Sequence, residues 1–486
     1  MAVAEDLPEF RAEIGRIPSE GSWQDGARYL RELIRSRTLL YTDMRDNPSR
    51  FFRGHRIIAE HFLGGFGTRF TVQFNLFAGS IIGMGSEAQV QQLHEMQETG
   101  SLGCFGLTEV AAGVNSGLVV ETTATWHADR RSFTLQTPHD GARKNWISQG
   151  LAAEFVVVVA SLTVDGQDKG PHAFLMRMRD PEGTLVTGVE AEDMGRKTTA
   201  NELDNAALRF NEVMLPESAL LDKYAGFDSF GHYETRAGVR RMGIEVIGQR
   251  LLTGRLVIAQ MTIDSINLLV RNVRQYCDGR KVWSPVLGDN KTLSNVPHIA
   301  ELLERIERAA AEQLRFSEAV ERQLWPYLQN DLLPPADLAE AIGVAKIRGV
   351  GTALRCFQEL QAEVGSHALM AGPGHSGFLF GDMLLVTKFA EGDSRILMQK
   401  MARDRLRQFQ KGGWRAMADL VSLDGGRRAE AALCLRIGRA LSDAQAGGIK
   451  AVMDAWDREW RNVYRLADLI CDRYLQSASK HGHARL

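Results

Sequence analysis

The order of its amphipathic patterns constrains the fold of this chain more than any other feature. Between about residues 101 and 215, short runs rich in Val, Phe and Thr alternate with Gly, Asp, Pro and Asn, which is typical of β-strands joined by turns. Before this segment, apolar residues at spacings of three and four predict helices over 28–39 and 86–96. After it, long amphipathic patterns nearly free of Pro predict an antiparallel bundle, with helices over 244–275, 299–322, 335–363 and 394–410.

These patterns predict a mainly α protein with a small β-domain. The strands are expected over 133–137, 155–164, 172–178 and 206–210. We expect an N-terminal helical domain, a central antiparallel β-barrel-like domain, a C-terminal helical bundle and a helical extension, at 1–100, 101–220, 221–411 and 412–486. The length of 486 residues corresponds to about three domains of roughly 150 residues each.

Charge and hydropathy argue against two classes of partner. The net charge is −2, which gives no electrostatic footprint for nucleic acid or an anionic membrane. No uninterrupted apolar run reaches the roughly 18 residues of a membrane-spanning helix. The 12 histidines do not cluster at ligand spacing, so we expect no metal site.

The cysteines indicate a reducing compartment. The 5 cysteines are spread singly, without a C-x-x-C pair, which argues against a disulfide framework and a structural zinc site. The first residues have neither the basic nor the apolar region of a secretory signal, so we expect a cytoplasmic protein. The last three residues, Ala484-Arg485-Leu486, fit a loose form of a peroxisomal signal, which makes the peroxisome the alternative.

One segment matches the spacing of a dinucleotide-binding fingerprint but lacks the expected surroundings. The segment Gly372–Gly377 has the spacing G-x-G-x-x-G. That fingerprint needs a strand before it and a helix after it. The preceding pattern here is helical and Pro373 stiffens the loop, so the sequence argues against a Rossmann site.

Four other segments carry distinctive residue combinations in a fixed order. They are Cys104–Asn115, Lys144–Ser148, Gln275–Trp283, and Glu363–Ala368 followed by Lys388–Asp393. Together they resemble the signatures of the acyl-CoA dehydrogenase and acyl-CoA oxidase superfamily, over about residues 20–410. The resemblance implies a flavoprotein that binds FAD and oxidises an acyl thioester, an oxidoreductase acting on a CH–CH bond in fatty-acid β-oxidation.

The first two segments imply the contacts to the flavin ring. By resemblance, Leu107 and Thr108 contact the ring and Gly113 opens the loop. Small residues suit this place because they let backbone N–H groups approach a planar group closely. In the second segment, Trp146 packs beside the isoalloxazine and the hydroxyl of Ser148 hydrogen-bonds flavin N5. Alternation along a strand would present both side chains on one face.

The third segment implies a shared cofactor site. By resemblance, Arg280 reaches the pyrophosphate of FAD held by the neighbouring subunit, which implies a homodimer or a dimer of dimers. Arginine suits this contact because its guanidinium stays charged and binds two oxygens at once. Trp283 and Ser284 replace the Phe and Gly that the family has in this motif, and Trp283 is expected to contact the cofactor.

The first part of the fourth segment departs from the family pattern. It resembles a Gly-Gly-x-Gly stretch that lets the AMP part of FAD approach the backbone. Only Gly365 of those glycines is retained, and Ser366 and Ala368 replace the others. We expect Gly365 and Ser366 to contact the cofactor, and the replacements leave open a non-catalytic scaffold that has kept the fold.

The second part of the fourth segment implies the catalytic base. Glu391 occupies the position of the family's catalytic Glu, between the small residues Ala390 and Gly392, which leave room for substrate. Arg255 matches a family Arg near the base and the thioester. The implied reaction removes the α-proton to Glu391 while hydride leaves Cβ, and the product is a trans-2-enoyl thioester.

The electron acceptor and the acyl carrier stay open at this point. The run Glu121–Thr125 and the roughly 95 residues after Glu391 favour the oxidases, in which O₂ reoxidises the flavin. The segment Lys144–Ser148 favours the dehydrogenases, which use an electron-transferring flavoprotein. The thioester is that of CoA or of an acyl carrier protein. A relative that oxidises nitrogen is a further alternative, although such members commonly lack the Glu.

Overall fold

The computed structural model describes residues 6–18, 21–61, 64–113, 119–236, 247, 252–283, 291–370 and 376–480, without the side chains of 379, 414–416, 479 and 480. Its N-terminal helices are α1 (Pro8–Ile14), α2 (Trp23–Ser36), α3 (Asp43–Asp46), α4 (Pro48–Ala59), α5 (Gly64–Thr71), α6 (Ala78–Met84) and α7 (Glu87–Thr99). Helix α2 begins before the predicted residue because Ser22 caps it, with the Asp25 N–H donating to Ser22 Oγ at 3.1 Å.

A π-helix, Val72–Phe77, interrupts the helical run between α5 and α6. The Phe74 and Phe77 side chains of this stretch are buried. The same turn also buries two polar side chains, Gln73 and Asn75. A π-helix holds more residues per turn than an α-helix and is frequent at functional sites.

The described strands of the central domain form two main sheets. They are β1 (Gly103–Gly106), β2 (Thr123–His127), β3 (Ser132–Gln136), β4 (Lys144–Ser148), β5 (Phe155–Val164), β6 (Gln167–Arg177), β7 (Val189–Asp193), β8 (Asn205–Phe210) and β9 (Val213–Pro216). One sheet has the order β1-β5-β2-β3-β9 with β6 paired to β5, and the other has the order β4-β8-β7. Two short hairpin pairs are β10 (Ala225–Phe227) with β11 (Tyr233–Thr235), and β12 (Lys281–Val282) with β13 (Lys291–Thr292).

The expected β-domain is confirmed, but the expectation that all its strands pair antiparallel is wrong at β5. This strand pairs in parallel with β1 through its first four residues and in parallel with β2 further along. Its other edge pairs antiparallel with β6. Strand β5 has 10 residues, so two shorter strands fit end to end along one edge.

The described C-terminal helices form the predicted bundle. They are α8 (Leu252–Gly279), α9 (Pro297–Gln329), α10 (Ala336–Glu363), α11 (Gly381–Phe389), α12 (Ser394–Ala418), α13 (Gly425–Ala444), α14 (Gly448–Arg458) and α15 (Trp460–Lys480). Helices α8, α9 and α10 pack through buried apolar residues that include Val273, Ile306 and Leu360. The prediction of a helix from 394 to about 410 fits the part of α12 before a kink at Gly413, where φ is 52° and ψ is −130°.

The C-terminal helices are continuous with the main core. Cys434 and Ile437 of α13 and Leu466 of α15 belong to the same buried apolar cluster as the N-terminal helices and the β-domain. Arg348 of α10 also donates to the Asp468 carbonyl at 2.8 Å and to the Asp472 carboxylate at 2.7 Å. The 5 cysteines are buried free thiols. Within the described residues, no helix combines the length and the hydropathy that crossing a bilayer requires.

A buried ion pair joins the N-terminal helices to the β-domain. Arg69 of α5 donates to the Asp204 carboxylate at 2.7 Å, and both side chains are 0% exposed. The second Asp204 oxygen accepts from the Leu151 N–H at 2.7 Å, and Arg69 also donates to Gln149 Oε1 at 3.2 Å. Buried charges are tolerated when they are paired and hydrogen-bonded in this way.

We expect Asp204→Ala to lower the free energy of unfolding by about 3–5 kcal/mol, because it leaves the Arg69 guanidinium buried without its counter-ion. Asp129 is a matched control, since it pairs with Arg130 at 3.6 Å on the surface. Its replacement by Ala should cost less than about 1 kcal/mol. Urea denaturation followed by circular dichroism measures both. Equal effects would contradict the role given to the buried pair.

Candidate active site

Glu391 lies in the short loop between α11 and α12. Its φ is 54° and that of Gly392 is 94°, so two consecutive residues adopt the left-handed conformation. Glycine adopts it at no cost, whereas a residue with a side chain is strained there. Such strain persists only where the surroundings over-determine the backbone, and it concentrates at functional sites.

Two buried cations hold this loop through its backbone. Lys346 of α10 donates to the Lys388 carbonyl at 2.8 Å, to the Gly392 carbonyl at 2.8 Å and to Ser394 Oγ at 3.0 Å. Arg255 of α8 donates from Nε to the Glu391 carbonyl at 3.1 Å. The structure therefore brings together the predicted residues Glu391, Gly392 and Arg255, and it adds Lys346. Burial lowers the pKa of Lys346 to about 7.

The Glu391 carboxylate is enclosed although the residue as a whole is only half-buried. Oε1 accepts from Asn75 Nδ2 at 3.3 Å. Oε2 is buried and has no hydrogen-bond partner among the described residues. Burial raises the pKa of Glu391 to about 7, against the lowering effects of Arg255, Lys346 and Asn75. A carboxylate with this pKa and an unengaged oxygen is suited to take a proton near neutral pH.

A buried ion pair joins the first two sequence segments to each other. Lys144 Nζ donates to Glu109 Oε1 at 2.7 Å, to the Val159 carbonyl at 2.7 Å and to the Leu107 carbonyl at 3.3 Å. The Lys144 and Glu109 side chains are both 0% exposed. Burial lowers the pKa of Lys144 to about 8, although Glu109 raises it. The pair fixes Leu107 and Thr108 beside the strand that carries Trp146.

The Trp146 side chain of the second segment faces an open surface. Trp146 is 56% exposed, which is unusual for so large an aromatic side chain. The Asn145 N–H donates to the Thr108 carbonyl at 2.8 Å, which places Trp146 next to the first segment. Ser148 Oγ accepts from Asn205 Nδ2 at 3.2 Å. Regular alternation along β4 was expected but is not observed, because the register with β8 shifts between Lys144 and Ile147 and Trp146 has φ 57°.

Gly113 is the last described residue before 114–118. Its surroundings are open, since a Cβ there would meet no atom within 4 Å. The remainder of the first segment, through Asn115, lies outside the described residues, as do Ser284 and the motif residues 372–375.

The third and fourth segments meet at the end of α8. The Tyr276 ring stacks on His367 with centroids 3.7 Å apart, which places the last turn of α8 beside the turn that contains Gly365 and Ser366. Arg280 and Ser366 are exposed, Trp283 is 81% exposed, and Gly365 has φ 62°. These predicted cofactor contacts therefore lie on the surface of a single chain.

The predicted residues fall into three groups: Leu107, Thr108, Trp146 and Ser148; Arg255, Glu391 and Gly392; and Arg280, Trp283, Gly365 and Ser366. Within the described residues, no hydrogen bond or ion pair joins one of these groups directly to another. The first two are linked through the π-helix. Gln73 Oε1 accepts from the Gly103 N–H at 2.8 Å and from Gln149 Nε2 at 3.2 Å, while Asn75 contacts Glu391.

Known proteins share this arrangement of domains. No protein-family model matches the chain. The chain is 26% identical over 348 residues to the mouse acyl-coenzyme A oxidase-like protein, covering 70% of the chain and 54% of that protein. It is 35% identical over 233 residues to acyl-coenzyme A oxidase 4 of Candida tropicalis, covering 46% of the chain and 31% of that protein. The chain spans about half the length, or less, of the curated relatives it matches.

Solved structures agree over nearly the whole chain. Acyl-CoA oxidase-2 of Caenorhabditis elegans, bound with FAD, ascaroside-CoA and ATP, has a TM-score of 0.77 at 18% identity and covers 99% of this chain and 76% of its own. Glutaryl-CoA dehydrogenase of Mycobacterium smegmatis has a TM-score of 0.61 at 18% identity and covers 82% of this chain and 93% of its own. In sequence the chain is similar to acyl-CoA oxidases, and it shares the fold of the solved acyl-CoA oxidases and of the glutaryl-CoA dehydrogenase.

Three residues that hold the candidate site together were missed by the sequence analysis. Lys144 opens the quoted second segment, yet its pairing with Glu109 was not foreseen. Lys346 is the one charged residue among the small and apolar residues of Ala341–Ile347, and that isolation is a signal of a buried, engaged cation. Asn75 gave no usable signal, because amide side chains in an apolar run predict neither a π-helix nor a distant partner.

We expect the pH dependence of stability to identify the buried carboxyl directly. The folded pKa of Glu391 is raised to about 7 from an ordinary 4.5, so its stabilising contribution is fully present below pH 4.5 and is lost as pH rises through 7. Glu391→Gln should therefore raise the free energy of unfolding by about 3 kcal/mol at pH 8 and by little at pH 4. Urea denaturation at the two pH values measures the difference.

Asp393 provides a control of opposite sign for this measurement. Burial raises the pKa of its carboxyl, but hydrogen bonds and charge from Arg395 outweigh that effect and lower it overall. Asp393→Asn should therefore destabilise at pH 8, and the loss should shrink as the carboxyl becomes protonated in acid. The assignment fails if Glu391→Gln has the same effect at both pH values.

Proposed function

We propose that the protein catalyses the FAD-dependent α,β-dehydrogenation of an acyl thioester, acyl-CoA or acyl carrier protein-bound, to the trans-2-enoyl thioester. The observation that carries this proposal is the Glu391 carboxylate, which is buried, has its pKa raised to about 7 and keeps one oxygen unengaged by the described residues. The relatives named acyl-CoA oxidase support the substrate class.

The β-domain residues fit a planar cofactor. An exposed Trp146 beside the backbone of Thr108 offers an aromatic face at an open surface. The Ser148 hydroxyl accepts from Asn205 and finds no acceptor for its own hydrogen among the described residues, so it can donate to a ligand atom. Leu107, Thr108, Trp146 and Ser148 would hold the flavin ring. FAD, when bound, supplies the acceptor for the hydride that leaves Cβ.

The residues around Glu391 provide the proton chemistry. The carboxylate accepts the α-proton, which leaves the thioester as the electron pair moves toward its carbonyl. The Glu391 N–H donates to no acceptor among the described residues, so it can donate to that carbonyl and stabilise the negative charge that develops there. Arg255 adds positive charge beside the loop, and Gly392 leaves room for the substrate.

We propose O₂ as the electron acceptor, with hydrogen peroxide as its product. The solved oxidases match 97–99% of this chain, whereas the dehydrogenase matches 82%, and helices α13–α15 follow the catalytic loop. These observations support the oxidase branch over an acyl-CoA dehydrogenase that uses an electron-transferring flavoprotein. The enclosed base supports an enzyme over a non-catalytic scaffold. A relative from Arabidopsis thaliana is named peroxisomal acyl-coenzyme A oxidase 2, which supports the peroxisome over the cytoplasm as the location of this protein.

We also propose a homodimer or a dimer of dimers in which Arg280, Trp283, Gly365 and Ser366 contact FAD held by the neighbouring subunit. Their exposure supports this arrangement, because these groups have space for a ligand from outside the chain. Leu369 and Met370 next to them are 81% and 51% exposed, which an interface would cover.

We expect Glu391→Gln to keep the fold and the FAD but to slow flavin reduction by acyl-CoA about 10²–10⁴-fold, because the general base is lost. Glu391→Asp should be intermediate, since the shorter side chain misplaces the carboxylate. Stopped-flow absorbance measures the reduction. In air, wild type should form about one peroxide per enoyl product. If the flavin of Glu391→Gln is reduced at the wild-type rate, Glu391 is not the base. A low ratio of peroxide to enoyl product, with turnover that an artificial electron acceptor restores, would indicate the dehydrogenase branch.

We expect Arg280→Ala to lower FAD occupancy and to weaken a dimerisation that depends on FAD, because a charge-assisted contact to the pyrophosphate is removed. Arg274 is a matched control, since it lies on the helix that ends one residue before Arg280, is half-buried and pairs with Glu307 at 2.8 Å. Flavin absorbance and analytical ultracentrifugation, with and without added FAD, measure both effects. The same result for Arg274→Ala and Arg280→Ala would remove the case for a specific contact.

A further inference from the structure

We propose that Asn75 is the positioning residue that orients the Glu391 carboxylate, and that Thr253 fixes the direction of the Asn75 amide. This inference rests on the proposed function, since it assigns two residues to the base of that reaction. Both residues are buried, at 0% and 1% exposure, and they come from different helical elements, the π-helix and α8.

The direction of the amide follows from its hydrogen bonds. Thr253 Oγ1 donates to Asn75 Oδ1 at 2.6 Å, and Asn75 Nδ2 donates to Glu391 Oε1 at 3.3 Å. A flipped amide would turn its carbonyl oxygen toward the carboxylate oxygen, with no hydrogen between them. In the observed orientation the Thr253 hydroxyl donates to the amide oxygen, which leaves the NH₂ group for Glu391, and the ionised carboxylate can only accept.

Gly254 provides the space in which the two side chains meet. A Cβ at this position would collide with both Asn75 Nδ2 and the Glu391 carboxyl carbon. The neighbouring Thr253 therefore supplies the hydroxyl while Gly254 supplies the gap. These two consecutive residues of α8 therefore allow the Asn75 amide to contact the Glu391 carboxylate. The sequence alone does not indicate this contact.

The π-helix explains how Asn75 reaches this gap. Its wider turn buries Gln73 and Asn75 together, and each engages a different partner. Gln73 accepts from the Gly103 N–H at 2.8 Å at the start of β1. Asn75 is thereby held in a turn that is itself anchored to the β-domain, so its amide is a fixed donor rather than a mobile one.

The effect on the base has a definite sign. A donor to the carboxylate favours its charged form and so lowers the pKa of Glu391, as do Arg255 of α8 and Lys346 of α10. On the loop itself, Asp393 and Lys388 also act on Lys346. Loss of the Asn75 donor leaves these charges in place, so the pKa of Glu391 should rise and the base should be protonated over a wider pH range.

The test compares Asn75→Leu, Thr253→Val and Thr253→Ser with wild type as the FAD-loaded enzyme. In Asn75→Leu the acid limb of the kcat/KM profile should move up by about one pH unit, with about tenfold loss at pH 6 and little loss at pH 9. Thr253→Val should move it in the same direction by less, and Thr253→Ser should restore the wild-type profile. Ser80→Ala is a matched control, because Ser80 Oγ is buried in α6 without a hydrogen-bond partner among the described residues.

A second readout does not depend on turnover. Infrared titration of the Glu391 carboxyl in the substrate-free holoenzyme, with Glu391→Gln as the blank, should show the same upward shift in Asn75→Leu. If the Glu391 titration is unshifted in Asn75→Leu, the inference is overturned even if the rate falls at every pH. If Asn75→Leu does not fold, an unshifted Glu391 titration in Thr253→Val overturns the inference. A wild type that fails to dehydrogenate acyl-CoA refutes the proposed function instead, and the titration still decides whether Asn75 acts on Glu391.

Discussion

The two halves of the candidate site are held in one arrangement by the buried amides of a single irregular helical turn. Gln73 fixes the start of β1 and accepts from Gln149, which follows the strand of Trp146 and Ser148. Asn75, two residues later, contacts the Glu391 carboxylate. The N-terminal helices thus do more than enclose the site, because they set the distance between the surface proposed for the flavin and the base.

Three buried cations fix the positions of other segments. Each of them donates hydrogen bonds to backbone carbonyls in addition to carrying a charge. Lys144 binds two carbonyls and Glu109, Lys346 binds two carbonyls and a hydroxyl, and Arg69 binds two carbonyls and Asp204. Removing an ion from water is costly, and these side chains offset that cost with the hydrogen bonds that they donate. In return they fix loops and strand ends that lack regular hydrogen bonding of their own.

A feature of the fold or of the candidate site could be predicted from the sequence where the residues that determine it lie close together along the chain. The helices and most strands follow from periodicity, although the cap at Ser22 was missed, and Glu391, Arg255 and Gly392 were placed together by resemblance. Asn75 and the Lys144–Glu109 pair could not be derived, since their partners are far away in sequence. The parallel pairing of β5 was missed for the same reason, because alternation along a strand indicates which residues are buried but not which neighbour runs in which direction.

Helix α10 contacts both the loop that carries Glu391 and the C-terminal helices within three residues. Lys346 holds the backbone on either side of Glu391, and Arg348 holds α15 through Asp468 and Asp472. The C-terminal helices are therefore not an appended module, since opening them frees the turn of α10 that orders the loop. Local unfolding of the two regions is thermodynamically coupled, and the strained backbone of Glu391 draws part of its stability from residues about 75 positions further along the chain.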